Sequence, residues 1–174
     1  ENTMSVYTNV LSHELNEFLE NYSLGQLQQF SGISNGIENT NYFVTTSKGQ
    51  YVLTIFEQLT LDDLPYFLEL MAFFSEANIP TAHPIADKQN EYIRILNGKP
   101  AALVKRLNGV SIDIANVKQC QEIGIQMAKM HLSSKQFKFS REASRNEDWR
   151  IQTSKLVMPK LNKDEQALLN RELN

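Results

Sequence analysis

The sequence is short of cysteine. Cys120 is the only one in 174 residues, which excludes an intrachain disulfide framework and a zinc site built from several cysteines. A reducing compartment suits such a chain. Glycine and proline are also sparse, at 7 and 5 residues, so a collagen-like or low-complexity chain is excluded. Positive charge is not in excess: 17 Lys and Arg stand against 20 Asp and Glu, a formal net charge of −3. A general grip on nucleic acid needs clustered Lys and Arg and is not expected. No apolar run approaches the ~20 residues of a membrane-spanning helix. Residues 1–5, Glu-Asn-Thr-Met-Ser, lack the basic and apolar segments of a secretory signal. Met4 reads as a natural start, and the expected setting is cytoplasmic, with no membrane partner. What remains is an ordinary globular composition, 41% hydrophobic and 21% charged, in a chain long enough to bury a core unaided.

Periodicity divides the chain. Ser12 reads as an N-cap, and Leu15, Phe18, Leu19 and Tyr22 repeat at helical spacing up to Gly25. The period then changes, with strands expected over 28–33, 41–46 and 50–56, the last two joined through Ser47, Lys48 and Gly49. A second helix is expected to start between Thr60 and Asp63, with Pro65 in its first turn and Asn78-Ile79-Pro80 as its stop. Two further strands, 91–96 and 101–107, flank Asn97-Gly98, a strong hairpin signal. After Gly109 the character is helical. Val117, Cys120, Gly124, Met127 and His131 form one stripe of a helix over 116–132, expected to be buried. Residues 133–148 read as a loop or weak helix, Trp149 as a packing residue, and 162–165 as a capping box opening a last helix. That helix meets no stop signal before Asn174, so the chain reads as cut. Five strands with one helix after the third make an α+β layer, and no G-x-G-x-x-G dinucleotide fingerprint is present.

Chemistry concentrates between the first two strands. In Gly32-Ile33-Ser34-Asn35-Gly36 the glycines allow backbone to approach an anion, and N–H groups with Ser34 and Asn35 can donate to it. An ordinary hairpin turn has the same composition. The segment from Gly32 to Val44 resembles the nucleotide-positioning loop of aminoglycoside-phosphotransferase-like kinases, which share the protein-kinase-like fold. Tyr51-Val52-Leu53-Thr54-Ile55-Phe56-Glu57 is similar to their third strand, the stretch around Glu69 to their ion-pairing helix, and 97–109 to their fifth strand and hinge. Within that superfamily Met4-Ser5-Val6-Tyr7-Thr8, the run from Gly36 to Val44 and the run from Asn97 to Val104 resemble the homoserine kinase family.

The resemblance implies a small ATP-binding lobe over 1–107, a five-stranded antiparallel sheet with one helix, and the beginning of a helical lobe over 108–174. It implies ATP with Mg²⁺ as cofactor and L-homoserine as the alcohol phosphorylated, in threonine biosynthesis. Gly32, Ser34, Asn35, Gly36, Asn39, Asn41, Thr54, Glu69, Val104, Lys105 and Leu107 become the nucleotide-binding residues, the hinge members through backbone groups. Thr54 stands where kinases usually carry Lys, and the resemblance implies Thr there in homoserine kinases too, so Glu69 either bonds backbone or a metal-bound water or faces solvent. The motif His-x-Asp-x-x-x-x-Asn, which supplies the base and a metal ligand in this superfamily, is absent from the 174 residues. Catalytic residues are therefore expected beyond Asn174, no metal site is expected within the chain, and the chain alone is expected to be inactive. Exposed large-lobe surface would then favour self-association or a second chain. An aminoglycoside, choline or other small alcohol as acceptor, and a non-catalytic nucleotide-binding piece, remain open alternatives.

Overall fold

The computed structural model describes residues 7–34 and 37–173. Five strands, β1 (Leu27–Gly32), β2 (Asn39–Thr46), β3 (Gly49–Phe56), β4 (Arg94–Leu96) and β5 (Lys99–Lys105), pair antiparallel in the order β1-β2-β3-β5-β4. One helix, α2 (Leu64–Glu76), lies in sequence between β3 and β4, as the pattern predicts. Asn97 and Gly98 both take positive φ, 50° and 76°, the backbone of a tight two-residue hairpin. β4 is shorter than predicted because residues 87–91 fold on themselves: the Asp87 carboxylate accepts from the N–H groups of Gln89 and Glu91 at 2.8 and 2.9 Å.

Helix α1 (Ser12–Glu20) supplies the core of one side of the sheet. Leu15, Phe18, Leu19 and Tyr22 bury against Tyr42, Val44, Tyr51, Leu53, Ile55 and Leu103. Leu11 rather than Ser12 is the N-cap, and its N–H donates to the Glu14 carboxylate at 2.7 Å. The other end is closed by Lys88, whose ammonium reaches Glu20 O at 2.6 Å. A cation there complements the negative end of the helix.

By contact the chain divides into two compact units, Glu1–Lys138 and Phe139–Asn174. Helix α3 (Val117–Ser134) falls in the first, because Phe137 just beyond it packs on Tyr66 and Phe73 of α2. Asn116 caps α3 by accepting from Gln119 N–H at 3.0 Å. The face of α3 that is sheltered carries Gln119, Gln126, Met130 and Ser133. The predicted stripe of Val117, Cys120, Gly124, Met127 and His131 is exposed instead. The stripe is real in the sequence, but it is rotated about one residue, roughly 100°, from the side that meets α2.

The second unit holds a helix the pattern did not single out, α4 (Glu147–Val157), then a 3-10 turn Met158–Lys160 and α5 (Lys163–Leu173). Asn146 caps α4 through Trp149 N–H at 3.0 Å. Trp149 is not a packing residue. It is 45% exposed, with the Arg145 guanidinium 5.5 Å from its ring centroid. The predicted capping box of α5 is present, with Glu165 N–H on Asn162 Oδ1 and Asn162 N–H on the Glu165 carboxylate.

Candidate functional site

Residues directly opposite in a ladder share a face of the sheet, so the register sorts it into two sides. Tyr42 faces Leu53 and Leu53 faces Leu103, all on the side covered by α1. Asn41 faces Thr54 and Thr54 faces Ala102, on the opposite side. Phe43, Val52 and Val104 follow there by alternation, and Asn41, Phe43, Val52, Thr54 and Val104 are half-buried rather than sealed. Of the residues the sequence nominated, Asn39, Asn41, Thr54 and Val104 lie on that open side, whereas Gly32 and Lys105 pair with Tyr42 and Tyr51 of the other.

At one end lies the β1–β2 connection. Gly32 closes β1 opposite Tyr42, and Ile33 N–H extends the ladder to Asn41 O at 2.8 Å. Ser34 follows, whereas Asn35 and Gly36 lie outside the described residues. Asn39 opens β2 opposite Phe56. The Thr54 hydroxyl donates to Asn41 Oδ1 at 2.8 Å, and Asn41 Nδ2 donates to Asn39 O at 3.3 Å. Those two bonds fix the amide orientation of Asn41. Thr54 therefore organises its neighbour on β2, as an uncharged residue can, and supplies no cation.

Toward the chain exit from β5 lies the segment read as a hinge. Val104 faces Val52 and also bridges to Pro84. Lys105 N–H is used by His83 O at 3.0 Å and Arg106 N–H by Gln50 O at 3.1 Å. Leu107 is exposed, and its N–H has no intrachain acceptor among the described residues. Glu69 is not brought to Thr54. It is exposed on α2 and has no ion-pair partner among the described residues. Its charge is felt by Tyr92, whose phenol is pushed up first by burial and then by Glu69 and Glu76.

Two features escaped the sequence. The Arg106 guanidinium lies 4.2 Å from the Phe43 ring centroid, a cation held beside the hinge by an aromatic face. The second feature is a polar cluster on the α1 side of the sheet, joining Thr8, Thr40, Glu57 and Lys99. Burial opposes ionisation of Glu57, but hydrogen bonds from Lys99, Thr40 and Thr8, with the Lys99 charge, hold its carboxyl below the ordinary value. The only sequence signal was polar Thr40 in an otherwise inward register with Tyr42 and Val44.

The open side offers hydroxyl, amide and backbone groups with one cation at its edge, which is equipment for binding. No group of three His, Cys, Asp or Glu among the described residues is placed to hold a metal ion. No helix among them is long and apolar enough to cross a membrane.

Comparison with known proteins agrees with that geometry. The Phosphotransferase enzyme family matches residues 29–174. The chain is 42% identical over 170 residues to the homoserine kinase of Methylobacillus flagellatus, spanning 98% of this chain and 53% of that protein. It is 40% identical to the homoserine kinase of Neisseria meningitidis serogroup B, spanning 98% and 56%. The chain thus spans about half the length of these curated relatives. Among solved structures, an amicoumacin kinase in complex with AMP-PNP, Ca²⁺ and its ligand superposes with a TM-score of 0.68 at 15% identity, over 93% of this chain and 51% of that one. A spectinomycin phosphotransferase with ADP and spectinomycin gives 0.62 at 12%, over 94% and 54%. Those likenesses speak for the fold: a small kinase-like sheet followed by helices. With the family match running from β1 to the last helix, the chain belongs to the phosphotransferase enzyme family.

Proposed function

We propose that this chain is the nucleotide-binding portion of a homoserine kinase, transferring the γ-phosphoryl group of ATP to the side-chain hydroxyl of L-homoserine in the cytoplasm. One observation carries the reading: 38–42% identity to homoserine kinases along 98% of the chain. The open side of the sheet fits the nucleotide half of that task. Backbone groups of the 32–38 segment, with Ser34, Asn35, Gly36, Asn39 and Asn41, would hold phosphates. Thr54 would keep Asn41 oriented toward them. Val52 and Val104 would flank the adenine, and the free Leu107 N–H would donate to it. Arg106 on Phe43 would close the hinge side with a positive charge. Glu69 has no evident part in this set.

Phosphoryl transfer needs positioning and charge neutralisation, with a carboxylate to accept the hydroxyl proton and ligands for Mg²⁺. Mg²⁺ bound with ATP would neutralise charge developing between the phosphates. We assign its ligands and the base to the half of the relatives' length that this chain does not span. The functional boundary would fall after Leu107, where β5 has ended and the helical part begins. Exposed apolar residues of α3, such as Val117 and Met127, would be covered by the remaining helical lobe or by a second copy.

The test is turnover by the complete protein with ATP and L-homoserine, choline or an aminoglycoside in parallel, and by the 174-residue chain alone. O-Phosphohomoserine should be the dominant product of the complete protein, and the shorter chain should make none. Better turnover of another alcohol would overturn the acceptor. Activity in the shorter chain would overturn our placement of the base.

A further inference from the structure

The residues just ahead of α1 cross the sheet where β2 begins, and apart from the buried Val10 they do so through hydrogen bonds. Thr40 Oγ1 accepts from the N–H groups of both Tyr7 and Thr8, at 2.9 and 3.0 Å, and donates to Glu57 Oε1 at 2.6 Å. Two lone pairs and one proton are thereby all used. Thr8 Oγ1 donates to the same carboxylate oxygen at 2.8 Å and accepts from Lys99 Nζ at 2.8 Å. Lys99 completes an ion pair with Glu57. Tyr42 Oη donates to Thr8 O at 2.9 Å and accepts from Val10 N–H at 3.1 Å. This short segment is thus fastened to β2, to the end of β3 and to the start of β5.

One bond points elsewhere. Tyr7 Oη donates at 3.0 Å to the backbone carbonyl of Ile37, in the β1–β2 connection. Tyr7 is 58% exposed and Ile37 is 87% exposed, so burial of their side chains does not explain the contact. A ring held at one end by a fully bonded network, with its hydroxyl on a loop carbonyl, is arranged to fix that loop.

We propose that residues 7–10 form a strap that sets the β1–β2 loop for nucleotide, with Tyr7 as the positioning residue and the Thr8–Thr40–Glu57–Lys99 cluster as its anchor. The inference rests on the reading of that loop as the phosphate-binding segment. Tyr7 touches no reacting atom. It acts through the Ile37 carbonyl, so its loss should be felt as weaker ATP binding with the acceptor unaffected. One neutral hydrogen bond lost corresponds to roughly a three- to tenfold change in an equilibrium constant.

The experiment compares wild type with Tyr7→Phe in the complete protein. Phe keeps the ring and removes the hydroxyl, and the site is exposed, so the melting temperature should stay unchanged. The KM for ATP should rise about three- to tenfold, while kcat at saturation and the KM for the alcohol acceptor hold. Hydrogen exchange of the Ile37, Glu38 and Asn39 amides, measured without nucleotide, should accelerate by a similar factor. Exchange unchanged by Tyr7→Phe overturns the strap, whatever the catalytic result. Faster exchange with an unaltered KM for ATP overturns the loop as the nucleotide segment and leaves the strap standing. If the wild type phosphorylates no alcohol, the functional reading fails, and the exchange result alone then decides the strap. Thr40→Val offers a second arm. It breaks the anchor, so it should accelerate the same amides beyond Tyr7→Phe, and protection equal to wild type would again overturn the proposal.

Discussion

Leu53 and Thr54 are neighbours in the chain and opposites in the molecule. Leu53 is fully buried against α1, while Thr54 stands on the open side with its hydroxyl committed to Asn41. The difference shows how one strand serves two faces: alternate residues are sealed in the core, and those between stay half-buried on the other side. A truncation on each side should tell the two faces apart. Leu53→Ala removes a side chain with no exposed surface and should destabilise by about 2–5 kcal/mol. Val52→Ala, half-buried on the open side, should cost clearly less. Urea unfolding of both variants tests this, and equal losses would dissolve the distinction between the faces.

The packed side has a polar fastening that acid should loosen. The side chain of Asp87 is fully buried and ion-paired with Arg94. Burial works against its ionisation, yet the Glu91 and Gln89 N–H groups and Arg94 outweigh it and hold the carboxyl below its ordinary value. The other titratable group facing the pair is Tyr22, which burial keeps protonated, with the Asp87 charge adding to the effect. A carboxyl lowered on folding adds stability that is complete above its unfolded pKa, about 4, and fades as pH falls through the folded value. The urea midpoint should therefore drop between about pH 5 and pH 2, and that drop should be shallower in Asp87→Asn. Parallel pH curves for the two proteins would show that this carboxylate does not couple to folding.

The same contrast explains what was legible in the sequence. The stripes of α1 and α3 look alike on paper, and only that of α1 is buried. Periodicity reports which residues share a face, and it does not report which partner meets that face. The strands, the Asn97-Gly98 turn and the helix after β3 were readable because alternation and turn chemistry are local. α4 was missed because its apolar content is low and its start signal is a single Asn146 ahead of Glu147 and Asp148. In the candidate site, Asn39, Asn41 and Thr54, nominated from the sequence, do lie together. Tyr7, Glu57 and Lys99 were not, since their hydrogen bonds span 17 to 91 residues and leave no mark on spacing. Arg106 was not among the nominated residues, because nothing local links it to Phe43.

The smallest effect sharpens the comparison most. The resemblance sets Thr54 at the position where kinases usually carry a phosphate-binding lysine, and in the structure its hydroxyl is engaged within the sheet. Its proton goes to Asn41 Oδ1, and the Asn41 amide is held in turn on Asn39 O. Thr54→Ala in the complete protein should leave the unfolding free energy from urea titration within about 1 kcal/mol of wild type, because one half-buried neutral hydrogen bond is lost and no large cavity opens. Catalysis should fall by about tenfold or less, the loss appearing chiefly in the KM for ATP, since one such bond corresponds to roughly 1 kcal/mol. Thr54→Ser keeps the hydroxyl and should restore most of that loss. Steady-state kinetics of the two variants, with ATP and acceptor varied in turn, provide the measurement. A drop of three orders of magnitude in kcat would mean that Thr54 acts on the transferred phosphate itself, and the open side would then be a place of catalysis as well as binding.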